Sequence, residues 1–138
     1  MRRSDLPTWA PGVIVALALA ALLTGCRGEG TEDDLPHRVQ VSTAPTPPIV
    51  GPVRMLVTIL DEEGAAVSGA VVTVEGTMTH AGMVPVLEAA EEREDGHYLI
   101  SSFEFAMGGD WILTVRAELP DGRELRRERQ VRVVGDRP

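Results

Sequence analysis

Asp110-Trp111-Ile112-Leu113-Thr114-Val115-Arg116-Ala117-Glu118-Leu119 alternates, Ile112 apart, apolar and more polar residues over ten positions. In an extended chain Trp111, Leu113, Val115 and Ala117 fall on one side, and Ile112, Thr114, Arg116 and Glu118 on the other. A period of two is the mark of a strand with one face on a core. A helix would scatter the same residues around its circumference. Pro120-Asp121-Gly122 follows as a hairpin turn signal, and Leu125 to Val134 returns as a closing strand. Arg123, Arg126, Arg127, Arg129 and Arg132 crowd that strand, interrupted by Glu124 and Glu128. Spread over alternating faces, they read as charges that solubilise a sheet edge.

Working back towards the N-terminus, the same period recurs. His97 to Phe103 is a strand, and Asp95-Gly96-His97-Tyr98 fits a tyrosine corner, in which a Tyr early in a strand bonds to nearby backbone. That register turns His97 towards solvent. Val84 to Ala89 reads as a short strand that ends in an acidic solvated turn, Glu91-Glu92-Arg93-Glu94-Asp95. Leu87 to Glu94 has helix-like composition but lacks an N-cap and an apolar stripe. Gly69 to Gly76 is short and β-branched. Val53, Met55, Val57 and Ile59 share one strand face, closed by the turn Asp61-Glu62-Glu63-Gly64. Pro45, Pro47, Pro48 and Pro52 forbid a helix and mark a crossing loop, and Arg38 to Ser42 alternates before it. Seven strands in about 100 residues, with turns every 8–12, predict an all-β chain folded as an immunoglobulin-like β-sandwich.

Composition sets the bounds around this reading. A length of 138 residues holds one ordinary domain. With 43% apolar and 25% charged residues the chain is not disordered as a whole, and with 4% aromatics its core rests on Val, Leu, Ile and Ala. The 13 basic residues face 21 acidic ones, and the resulting −8 argues against a nucleic-acid partner. Every basic residue is Arg, which excludes a Schiff-base lysine and a P-loop lysine. A single Cys excludes an intramolecular disulfide and a Cys-rich zinc site.

That Cys sits in a distinctive place. Met1-Arg2-Arg3 is followed by the apolar run Val13 to Leu23 and then Thr24-Gly25-Cys26. The run is too short for a spanning helix, which needs about 20 residues, and suits the apolar segment of a secretory signal. Leu23-Thr24-Gly25-Cys26 looks like a lipobox: small residues admit a signal peptidase and the Cys26 thiol carries the lipid. The expected organisation is a lipoprotein signal peptide over 1–25, a flexible tether over 26–36 and the sandwich over 37–138. The tether, Gly-rich and acidic, reaches roughly 35 Å at full extension. Loss of Arg2, Arg3 and Asp5 takes 13 basic residues to 11 and 21 acidic ones to 20, so the mature chain carries −9. Such a domain is repelled from anionic headgroups. The expected location is the extracytoplasmic side of the cell membrane or outer membrane, and Arg27 after the Cys leans towards the outer one.

The densest unusual stretch is Met78-Thr79-His80-Ala81-Gly82-Met83, with Met107 further on in Phe105-Ala106-Met107-Gly108-Gly109-Asp110-Trp111. Thioether and imidazole together suit Cu(I), and a thioether keeps its ligand form where free thiols do not last. Placed at one end of a sandwich, Met78, His80, Met83 and Met107 converge. The competing reading is structural, because Met fills gaps in cores that have few aromatics. Glu91, Glu92, Glu94 and Asp95 lack the ligand order of a calcium loop. Ser68, Ser101 and Ser102 lack the context of an activated nucleophile, and no phosphate-binding glycine loop is present.

From His37 to Val134 the chain resembles the YtkA-like / FixH-like domain of bacterial extracytoplasmic proteins. The residues that carry the likeness are Asp61-Glu62-Glu63-Gly64-Ala65-Ala66-Val67-Ser68-Gly69-Ala70, the Met/His loop Met78 to Met83, Gly96-His97-Tyr98, and Met107-Gly108-Gly109-Asp110-Trp111. The resemblance implies an immunoglobulin-like sandwich without catalysis, in a group some of whose members are linked to copper handling or cytochrome oxidase assembly. FixH-like members carry an uncleaved membrane helix, so a lipidated Cys26 favours the YtkA-like branch. The expected function is a non-enzymatic, lipid-anchored binding or accessory module, with copper as its candidate ligand. The alternative is a structural or adhesive domain that meets another envelope protein and takes no small ligand.

Overall fold

The computed structural model describes residues 36–79 and 82–135. The expected signal peptide, lipobox and tether, and His80 of the Met/His loop, lie outside the described residues. Eight strands follow in order: β1 (Arg38–Ala44), β2 (Gly51–Leu60), β3 (Val71–Met78), β4 (Val86–Ala89), β5 (Glu91–Glu94), β6 (His97–Phe105), β7 (Gly109–Glu118) and β8 (Glu124–Val133). They form two antiparallel sheets of four, in the orders β1-β2-β6-β5 and β4-β3-β7-β8. This is the immunoglobulin order, with β4 added beside the three-stranded half of a constant-type domain. Among the described residues no helix is long and apolar enough to cross a membrane.

Alternation along the central strands builds the core. Val53, Met55, Val57 and Ile59 on β2 are at most 2% exposed, and Trp111, Leu113, Val115 and Ala117 on β7 at most 3%. Gly76 on β3 is required by this packing. A Cβ there would lie 2.6 Å from Cζ of Phe103, so the missing side chain is the space the ring fills. Phe103, Phe105 and Trp111 stack in sequence, each pair of centroids 5.0 Å apart, the second pair edge to face.

The structure departs from the sequence reading in three places. The eighth strand is β5, where an acidic turn was expected and the flanking composition looked helical; Glu91 pairs with Leu99 and Glu94 with His97. Backbone pairing to β6 makes this strand, since all four of its side chains are exposed and it buries nothing of its own. The proline segment does not carry the chain from one sheet to the other. Ala44 pairs with Arg54, so it joins neighbours within a sheet. Its middle is laced to the opposite sheet, through Val50 N–H to the Val134 carbonyl at 3.1 Å and Val134 N–H to the Pro48 carbonyl at 2.8 Å.

The third departure is Tyr98. It does start its strand, but its hydroxyl donates to the Val67 carbonyl at 2.6 Å and accepts from Ala70 N–H at 3.1 Å. Both partners lie about thirty residues upstream in the β2–β3 connection. The bond therefore pins the crossing between sheets, whereas a tyrosine corner closes a local turn.

Candidate functional site

Strand registers sort the connections onto two ends of the sandwich. Gly51 pairs with Phe105, Met78 with Trp111, Gly76 with Val86 and Gly109 with Val133. The β1–β2, β3–β4 and β6–β7 connections and the end of β8 thus share one end. Arg38 pairs with Leu60, Val71 with Glu118 and Glu118 with Glu124. The chain therefore enters β1 at the opposite end, beside the turns at Asp61–Gly64 and Leu119–Arg123. The ten residues of β7 separate the two ends by about 30 Å at roughly 3.3 Å per residue.

All three described methionines of the predicted site occupy the first end. Met78 is the last residue of β3, on the same face as its partner Trp111, half-buried against the core. Its methyl group fills the place a side chain at residue 109 would need, since a Cβ on Gly109 would sit 2.9 Å from Met78 Cε. Gly109 has φ 135°, a backbone conformation that favours glycine. Met83, in the β3–β4 connection, is also half-buried against the core. Met107, in the β6–β7 connection, is 39% exposed. Its carbonyl accepts from Trp111 Nε1–H at 3.0 Å, which ties the loop to a fully buried indole. The three thus share one end of the sandwich, and Met107 is the most exposed of them.

The sequence reading missed the apolar surroundings of Met107. Ile49 is 47% and Val134 50% exposed, and the two face each other across an isolated parallel bridge. Gly108 abuts Gly135, so that a Cβ there would lie 2.7 Å from the Gly135 carbonyl oxygen. These residues come from three remote segments, so no local pattern shows them. The signal was available as an absence of charge: 39–53 and 76–87 contain no Asp, Glu, Lys or Arg. Asp110 is the charged residue that follows Met107 at this end, and it pairs with Arg132 at 2.9 Å.

The opposite end is acidic, with Asp61, Glu62, Glu63, Glu94, Asp95, Glu118 and Asp121. Several carboxylates are engaged by backbone. Glu92 accepts from Gly69 N–H at 3.0 and 3.1 Å, and Asp61 from Ala65 N–H at 2.7 Å. The Arg123 guanidinium beside Asp121 holds its carboxyl below the usual carboxylate range. Burial pushes the Tyr98 hydroxyl above its ordinary 10.0, against the pull of Ala70 N–H and reinforced by the Glu92 carboxylate. Among the described residues no group of three or more His, Cys, Asp and Glu is placed to hold a metal ion. His37 is half-buried at the acidic end, and His97 is half-buried with Nδ1 3.0 Å from Thr58 Oγ1. Neither lies near the methionines.

The fold and this arrangement of loops define an immunoglobulin-like β-sandwich module. The chain belongs to the YtkA-like family, whose profile matches residues 33–116, more than half of the 138 residues. No curated protein matches the chain. Among solved structures it is similar to the PmoD soluble domain from Methylocystis sp. (Rockwell), at a TM-score of 0.47 and 13% identity, over 71% of this chain and 90% of that one.

Proposed function

We propose that this chain is a non-enzymatic module displayed outside the cytoplasm, anchored through a lipid on Cys26, and that it holds Cu(I) at the end of the sandwich carrying Met78, His80, Met83 and Met107. The observation that supports the reading is the strand register, which brings the three described methionines to one end while the chain enters at the other. The residue types fit a soft ion: thioethers, with no metal-holding cluster of carboxylates among the described residues to favour a hard one. β3 positions the backbone of Met78, and the Trp111 bond to the Met107 carbonyl positions that of Met107.

Titration of the purified chain with Cu(I) against a competing chelator tests this. The expected result is binding tighter than micromolar that weakens at least about tenfold in Met107→Leu, one lost soft ligand being worth some 1.4 kcal/mol or more. Absence of binding tighter than micromolar ends the metal reading. A second reading, an adhesive domain that meets an envelope protein without any ligand, is favoured by one observation: Met78 and Met83 both pack on the core. It predicts that Met78→Leu and Met83→Leu keep full stability and that no chelator changes the behaviour of the chain.

A further inference from the structure

We propose that Met107 is an oxidation site, the residue at which a hydroperoxide first modifies this domain. The described residues hold four methionines in graded surroundings. Met55 is fully buried, Met78 and Met83 are half-buried against the core, and Met107 is 39% exposed. Oxygen transfer needs the peroxide to approach a sulfur lone pair along the O–O axis, so access orders the four. With hydrogen peroxide the sulfur attacks one oxygen, the S–O bond forms and the O–O bond breaks. The departing hydroxide takes up a proton and leaves as water. The sulfur is oxidised by two electrons and the peroxide is reduced by two.

The setting gives the modification a consequence. The loop is held by Trp111 Nε1–H on the Met107 carbonyl, so the thioether is presented from a fixed backbone. The next residue, Gly108, abuts Gly135, which follows the half-exposed Val134 and its bridge to Ile49. A sulfoxide at Met107 turns a soft, apolar side chain into a strongly polar one. It also replaces a soft sulfur donor by a hard oxygen. This second effect rests on the copper reading above; the order of oxidation does not.

The test uses the chain isolated from membranes in detergent, treated with a small excess of hydrogen peroxide. Since every basic residue is Arg, trypsin separates Met107 on peptide 94–116 from Met55, Met78 and Met83 on peptide 55–93. Fragmentation mass spectra then place each added oxygen. Sulfoxide is expected on Met107 first, on the order of tenfold faster than on Met55. The Met107→Leu variant is expected to leave 94–116 unmodified and the melting curve unchanged. Oxidation of Met78 or Met83 before Met107 overturns the assignment. In a second arm Ag(I), a soft ion that does not redox-cycle, is added first. Slowing of Met107 oxidation supports both proposals. Unslowed oxidation that still begins at Met107 sustains the oxidation site and counts against the metal site.

Discussion

The two ends of this sandwich are held by different physics. At the methionine end Phe103, Phe105 and Trp111 stack on one another, Met78 packs against the core, and the described loops carry almost no charge. At the acidic end side chains hold backbone: Tyr98 on Val67 and Ala70, Glu92 on Gly69, Asp61 on Ala65. Apolar packing carries no titratable group, whereas hydrogen bonds to an ionisable group depend on pH. Carboxylates are denser at the end where the chain enters the domain, while the methionine end carries the Asp110–Arg132 pair.

The comparison breaks most visibly at Trp111. Its ring is fully buried, touches Phe105 edge to face and ties the Met107 loop. Trp111→Ala is expected to cost about 3–5 kcal/mol, read as a large fall in denaturant midpoint. An unchanged midpoint would show that the aromatic stack does not hold this end. Next comes Gly76→Ala, whose new methyl group must displace the Phe103 ring. About 1–3 kcal/mol is expected, with the loss carried by altered near-ultraviolet dichroism of the aromatic cluster.

These packing positions were largely legible beforehand, and the reason is periodicity. Residues 53–59 and 111–117 alternate because each strand lies over a core, so the faces could be read one strand at a time. β5 was illegible for the complementary reason: Glu91-Glu92-Arg93-Glu94 buries nothing, and only its partner β6 makes it a strand. Tyr98 announced itself by its neighbours Asp95 and Gly96, but its acceptor lies across the β2–β3 connection, and nothing local names Val67. The methionine end was half legible. Met78, Met83 and Met107 stood out as a composition, while Ile49 and Val134 joined them only through a bridge between distant segments.

The acidic end gives a smaller effect with a distinct pH signature. Tyr98→Phe leaves Ala70 N–H and the Val67 carbonyl without their partner, and about 1–2 kcal/mol is expected. Because burial raises the Tyr98 hydroxyl in the folded chain, its neutral form is the one folding favours. That contribution is fully present below the ordinary 10.0 and is lost as pH rises through the higher folded value. The wild type should therefore lose stability in that alkaline window faster than Tyr98→Phe does. Parallel curves for the two would show that the phenol does not govern the end it pins.

The smallest expected effect is at the β7–β8 turn. Asp121 accepts from Arg123 N–H at 3.0 Å and from Arg123 Nε–H at 2.7 Å, in full contact with solvent. Hydrogen bonding from the guanidinium comes first among the causes that lower its carboxyl below the ordinary 3.8. A depressed carboxyl stabilises the fold above its unfolded value and ceases to do so as pH falls through the folded one. Solvent screens an exposed pair, so the thermal midpoint should barely move in Arg123→Gln. A carboxyl titration followed by nuclear magnetic resonance is the sharper measurement. Asp121 should move up towards its ordinary value in that variant. An Asp121 titration that stays the same in that variant would mean that the Arg123 guanidinium does not hold this carboxyl down.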